Sequence, residues 1–128
     1  MKEKRIKVLK VAPKMYPEAV YLDNELKALQ EAVSIGADYV GLIEIVELDK
    51  DICILCNEEG KLIGLEPNRR LGDDILCGVF YVTGQDKKGN LASLSDESLA
   101  RYKRRFAVIE DISADDVNRT LISRFFVY

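Results

Sequence analysis

Asn57-Glu58-Glu59-Gly60-Lys61-Leu62-Ile63-Gly64-Leu65-Glu66-Pro67-Asn68-Arg69-Arg70-Leu71 is the stretch on which the reading of this chain turns. It holds two turn signals, an amide next to a carboxylate, and an Asn-Arg-Arg cluster, all between two apolar runs. Asn57 to Gly60 has the composition of a hairpin turn in which Gly60 supplies a positive φ. Leu62, Gly64 and Leu65 then fit a short strand that Pro67 ends, and Pro67 holds the Asn68-Arg69-Arg70 segment extended. A span of this kind gathers hydrogen-bonding side chains at one edge of a sheet, where a ligand or a partner can be held. No part of it spells a reaction.

The flanks are strands. Ile52 to Cys56 precedes it and Ile75 to Thr83 follows, the latter a strong central strand in which Gly78 marks a bulge or a close approach. Tyr39 to Leu48 is apolar on both alternating faces, as a central strand should be, and Asp49-Lys50-Asp51 turns it into the next one. Farther out, residues 5–12 alternate apolar and charged positions and give a first strand, and Glu18 to Leu22 a second. Asp23 or Asn24 caps a helix over residues 24–35, with Leu26, Leu29, Ala32 and Val33 on its apolar side and Gly36 as its stop. Ser95, followed by Asp96 and Glu97, starts a helix over 95–106 with Leu99, Tyr102 and Phe106 as its stripe. A further capped segment begins at Ser113. The expected fold is α/β (α+β): one domain with a mixed, mainly antiparallel sheet and two or three helices packed on it.

Composition agrees. The 128 residues are 48% hydrophobic and 32% charged, enough apolar content for one real core. A net charge of −3 and a pI near 5.1 provide no positive field for duplex nucleic acid. No window approaches the roughly 18 apolar residues needed to cross a bilayer, and the first residues lack the pattern of a signal peptide. The expectation is a cytoplasmic protein, with no membrane partner. Cys53 and Cys56 form a C-x-x-C inside a strand, where residues three apart face opposite ways and cannot chelate one ion. With Cys77 they make three sulfurs and there is no histidine, so they read as small core residues, with no metal and no cofactor. The same absence removes a Ser-His or Cys-His nucleophile, and no phosphate-binding glycine loop is present. The chain reads as a binding protein and not an enzyme.

The run from Asn57 to Leu62 with Gly64-Leu65, then Pro67-Asn68-Arg69 and Asp74-Ile75-Leu76-Cys77-Gly78-Val79-Phe80, resembles the domain of unknown function 3846 family. Members are found largely in bacteriophages, conjugative elements and the Gram-positive bacteria that carry them. The likeness extends back through Glu25 to Val33 and forward through Ser93 to Glu97, covering about residues 5–106. Residues 1–106 are thus a family-like α/β core, and 107–128 an extension packed on that core or on a partner subunit. Leu71-Gly72-Asp73 is shorter than in many relatives.

Membership implies an accessory protein of a mobile element. The candidate ligand-binding residues are Asn57, Glu58, Asn68, Arg69 and Arg70. Arg69 offers a planar fork for phosphate or carboxylate. Asn57 and Asn68 read polar edges, and Glu58 accepts from hydroxyls or orients an arginine. Against this, Asn57 is equally a turn former, and Arg70 is more simply an ion-pair partner of Glu58, Asp73 or Asp74. The first functional expectation is counter-defence by sequestering a small anionic, nucleotide-derived ligand. The second is inhibition of a host defence protein by direct binding through an acidic or aromatic surface. The third is regulation of the element's own replication or transfer. Phe125, Phe126 and Tyr128 at the C-terminus point to a homo-oligomer, and Arg101, Lys103, Arg104 and Arg105 fit a helix C-terminus.

Overall fold

Alternation of apolar and polar residues in the N-terminal third builds the first two strands, β1 (Arg5–Val11) and β2 (Glu18–Asp23), paired antiparallel. The computed structural model describes residues 3–125, with side chains as far as Leu121. The helix α1 (Leu26–Ala32) follows, then β3 (Ile43–Asp49), β4 (Ile52–Asn57), the short ribbon β5 (Pro67–Leu71) and β6 (Asp74–Cys77), β7 (Phe80–Gln85), β8 (Leu91–Ala92), α2 (Asp96–Arg105) and α3 (Ala114–Phe125). The main sheet runs β2-β1-β7-β4-β3, with β8 also paired to β7, and every pairing is antiparallel. The ribbon β5-β6 is a separate antiparallel sheet. The chain is thus a mainly antiparallel α+β domain.

Strand alternation sorts the core into layers. Leu9, Val11, Ile54, Cys56, Phe80 and Val82 point to one face, where Leu99, Tyr102 and Phe106 of the α2 stripe meet them. Phe80 and Phe106 make an edge-to-face contact at 5.2 Å there. Each of these large side chains contributes roughly 1.5–3 kcal/mol by leaving water. Ile6, Val8, Leu55 and Tyr81 point to the other face and are covered by Leu29 and Val33 at α1. The sheet is therefore buried on both sides, and the small ribbon shares the α2 side through Leu76. A third cluster of Leu65, Ile75, Cys77 and Val117 seats α3 on the ribbon. Val117 of α3 lies in that cluster, and Lys61 Nζ donates to Thr120 Oγ1 at 2.9 Å. Phe126 and Tyr128, on which the homo-oligomer expectation rested, lie outside the described residues, as does the side chain of Phe125.

Caps follow the sequence at α2 and depart from it at α1. Ser95 Oγ accepts from the Ser98 amide, and Asp96 and Glu97 occupy the first turn. At α1 the expected start moves two residues. Asn24 instead donates to the carbonyls of Glu3 and Leu91, stitching β1 and β8 together, and Glu25 takes the cap position without a side-chain bond. Gly36, at φ 87°, ends the turns after α1.

Four local expectations are corrected. The strand expected from Ile75 to Thr83 breaks at Gly78, whose φ of 82° and near contact with Leu65 divide it between two sheets; a Cβ there would lie 2.7 Å from Leu65 Cδ1. Pro67 does not end a ladder but begins β5, a position where its missing N–H is harmless. Asn57–Gly60 is not a hairpin. It opens a compact coil, with the Ile63 amide donating to Glu59 and the Leu65 amide to Gly60. Gly60 is needed for proximity, since a Cβ would sit 2.8 Å from the Cys77 carbonyl oxygen, and it is not among the positive-φ glycines. Finally, Tyr39 to Leu48 is not a central strand: β3 begins only at Ile43 and lies at the sheet's edge.

Burial leaves a titration signature. Desolvation pushes the Cys77 thiol up to about 11 and the Tyr81 hydroxyl up to about 12. Tyr81 also donates to the Ala32 carbonyl at 3.1 Å, a bond its anion would lose. Both folded values lie above the ordinary ones of 9.0 and 10.0, so this stability is present in full below pH 9 and drains away as pH rises to 12. Each group accounts for roughly 2–3 kcal/mol of that loss. Urea midpoints should hold up to pH 9 and then fall steeply, and less steeply in Cys77→Ala and Tyr81→Phe. A midpoint that stays level to pH 11.5, or the same slope in all three proteins, contradicts this burial.

Candidate functional site

Asn57 ends β4 with its side chain inside. Its Oδ1 accepts from the Glu59 amide at 2.9 Å, the local ring that turns the chain. Its Nδ2 donates to Ser34 Oγ at 3.4 Å, and Ser34 Oγ also accepts from the Gly41 amide and donates to the Gln30 carbonyl. Gly41 is required by this knot, since a Cβ would lie 2.9 Å from Asn57 Nδ2. The amide thus joins the end of α1, the 36–42 loop and β4. Ser34 had no signal in the sequence beyond its place after an apolar helix.

Asn68 and Arg69 are deeper still, each 1% exposed. Asn68 Nδ2 donates to the carbonyls of Val11 and Gly78, at 2.8 and 2.9 Å. Its Oδ1 accepts from Arg69 Nη1 at 2.8 Å. Arg69 Nε donates to the Phe106 carbonyl at 3.1 Å, Nη1 also to the Asn68 carbonyl, and Nη2 to the Met15 carbonyl at 2.7 Å. No carboxylate forms an ion pair with Arg69 among the described residues. Desolvation lowers its pKa, with Glu110 opposing, but a guanidinium keeps its proton in proteins. The charge rests on backbone carbonyls, one of them at the C-terminal end of α2, where the helix dipole favours a cation. A residue so enclosed holds the fold, and the fork expected to grip phosphate is occupied by the protein itself. Arg70 is half exposed and pairs with Glu110 and Asp116, not with Glu58, Asp73 or Asp74. It ties the tail to β5.

What remains accessible near the motif is a cleft of about 320 Å³ between the 57–62 coil and β6. Cys56, Ile75, Leu76, Cys77 and Leu121 supply apolar lining. Glu44, Glu58, Glu59 and Asp74 supply carboxylates, and among the described residues Lys61 is the one basic lining residue. Lys61 is already engaged by Asp74 and Thr120. The cleft runs into an open groove of about 650 Å³ between β3 and the ribbon, lined by Glu44, Ile45, Val46, Glu47, Leu71, Asp73, Asp74 and Thr120. Of the five sequence-predicted site residues, Asn57 and Glu58 border the cleft, while Asn68, Arg69 and Arg70 do not. Cys77 faces it as a resting thiol, its burial working against a nucleophilic thiolate.

Alongside the cleft is an apolar shelf. Ile35, Tyr39, Val40, Leu42 and Ile45 are each 53–60% exposed, five large side chains within residues 35–45. The Tyr39 hydroxyl donates to Glu59 Oε2 at 2.8 Å, and this bond, more than burial, raises its pKa. The Glu58 amide donates to the Leu42 carbonyl at 3.0 Å, so shelf and cleft share a backbone. Tyr39, Val40, Leu42 and Ile45 fall in the span expected as a central strand, because alternation alone does not say which side is covered.

Fold and site define a small α+β domain with an acidic cleft next to an exposed apolar edge. Residues 6–107 match the family model described as Domain of unknown function (DUF3846), and the chain belongs to that family. No curated protein and no solved structure matches it. Among the described residues, no helix is long and apolar enough to cross a membrane.

The buried Asn68-Arg69 pair generates a direct expectation. Arg69→Met removes the guanidinium donor from the Phe106, Asn68 and Met15 carbonyls and should cost about 3–5 kcal/mol in urea unfolding. Arg69→Lys should recover only part, because a point charge cannot reach carbonyls on both sides. A loss under about 1 kcal/mol for Arg69→Met contradicts a structural role.

Proposed function

We propose that the protein is a binding module that engages a partner protein through the apolar shelf and the acidic cleft beside it, a host defence protein in the setting its family resemblance implies. The exposure of five large apolar side chains in residues 35–45 carries this reading. Several large apolar side chains left exposed in one segment and bordered by charge are a common mark of a docking site. The carboxylates around it, Glu44, Glu47, Glu58 and Glu59, suit a partner that is basic as well as apolar.

The charge of the cleft argues against the anion-sequestering alternative. A phosphate placed there meets several carboxylates and one lysine already neutralised by Asp74. Arg69, the residue best suited to hold it, faces the interior. Loss of binding in an Arg69 variant would therefore report on folding. Regulation of the element's own replication or transfer remains the same kind of activity with a different partner, since it uses the same surface.

The test is native mass spectrometry of the protein purified from its host cell, beside a Val40→Asp, Leu42→Asp double variant. Both positions are more than half exposed, so the variant should melt within a few degrees of the parent. A stoichiometric protein partner retained by the parent and lost by the variant is the expected result. A nucleotide-sized adduct in both proteins, with no protein partner, contradicts it and restores the anion reading.

A further inference from the structure

The mode of docking is written in the backbone of β3. This strand ends the sheet order β2-β1-β7-β4-β3, so only its β4 side is paired. The phase of the ladder follows from one bond. The Glu58 amide donates to the Leu42 carbonyl, and Leu42 and Glu58 continue the register that pairs Ile43 with Asn57. In an antiparallel ladder, pairs that exchange hydrogen bonds alternate with pairs that do not. Glu44 and Val46 therefore turn their amides and carbonyls toward β4, and Ile43, Ile45 and Glu47 turn theirs outward. Ile45 and Glu47 border the 650 Å³ groove, whose far wall is Leu71, Asp73, Asp74 and Thr120. Between them lies room for an extended chain.

We propose that β3 receives an added strand from the partner, an extended segment in which basic and apolar residues alternate; this rests on the reading of the protein as a partner-binding module. The added strand takes its hydrogen bonds from Ile43, Ile45 and Glu47. Its side chains alternate between the two faces of the extended sheet. Those on the groove face meet Glu44 and Asp73 and are the basic ones. Those on the other face meet Ile45, which is 55% exposed, and are apolar. Glu47 shares the face of Ile45, so a basic residue also fits opposite it there; it makes no ion pair within the described residues.

Charge selects this occupant over a second copy. The strand Ile43-Glu44-Ile45-Val46-Glu47-Leu48-Asp49 carries three carboxylates and no cation. Two copies pairing along β3 would bring these carboxylates together, and like charges across a pair are destabilising. Acidic side chains on an exposed edge block self-association in this way. The same charges attract a basic strand.

The experiment is fluorescence anisotropy with a labelled seven-residue peptide alternating lysine and valine. Its controls are the same peptide with every backbone amide N-methylated, and a glutamate-valine counterpart. The protein is compared with Ile45→Ala, which loses the side chain, and Ile45→Pro, which also loses an outward N–H. Proline is tolerated on an edge strand where its nitrogen faces away from the sheet, and the melting curve of Ile45→Pro checks that the fold persists. The lysine-valine peptide should bind, N-methylation should weaken it by about tenfold or more, and Ile45→Pro should bind about tenfold more weakly than Ile45→Ala. The glutamate-valine peptide should not bind.

Equal binding of the N-methylated peptide, with Ile45→Pro matching Ile45→Ala, overturns strand addition while leaving a basic partner in place. Absence of binding by the lysine-valine peptide at millimolar concentration also overturns it. The partner-retention measurement with the shelf variant then stands or falls separately.

Discussion

A guanidinium held by backbone carbonyls and one side-chain amide, with no ion pair among the described residues, enclosed where three parts of the chain converge, is the constraint on which this structure depends. Arg69 reaches Met15 in the loop after β1, Phe106 at the end of α2, and Asn68 beside it. Asn68 extends the network to Val11 and Gly78. Removing a charged group from water is expensive unless every donor is answered. Among the described residues no buried side-chain nitrogen or oxygen lacks a partner. The network sets β5 against the main sheet, and the ribbon's position in turn creates both the cleft and the groove.

With the ribbon fixed, the accessible chemistry is that of the residues bordering it. The basic residues of the motif are turned inward or paired with the tail, and the carboxylates face outward. The surface that results is acidic on one side and apolar on the other. Its apolar part belongs to the 35–45 segment, which the knot of Ser34, Gly41 and Asn57 holds against α1. A buried amide therefore holds an exposed apolar segment in place.

Much of this architecture was legible in the residues. The α2 cap at Ser95, its Leu99-Tyr102-Phe106 stripe, the alternation in β1 and the apolar run of β4 are local patterns that tertiary packing kept. The three cysteines do sit in the interior. What was not legible depends on contacts distant in sequence. Nothing near Arg69 announces that Met15 and Phe106 will supply its acceptors. The exposure of Tyr39, Val40 and Leu42 has the same cause, since periodicity identifies an apolar face but not whether the chain has anything to cover it. Gly60 and Gly78 illustrate the mixture: the sequence marks both as special, and only the fold tells close approach from left-handed turn.

The side-chain Nε–H of Arg69 offers the most direct test of whether the Asn-Arg motif is internal framework. Hydrogen exchange of that proton, followed by proton–nitrogen NMR, isolates this one group from the rest of the chain. The account predicts a signal protected nearly as strongly as the core amides of β7, exchanging only on global unfolding. Exchange as fast as that of an exposed arginine such as Arg104 would contradict it, returning Arg69 to the surface and to a ligand.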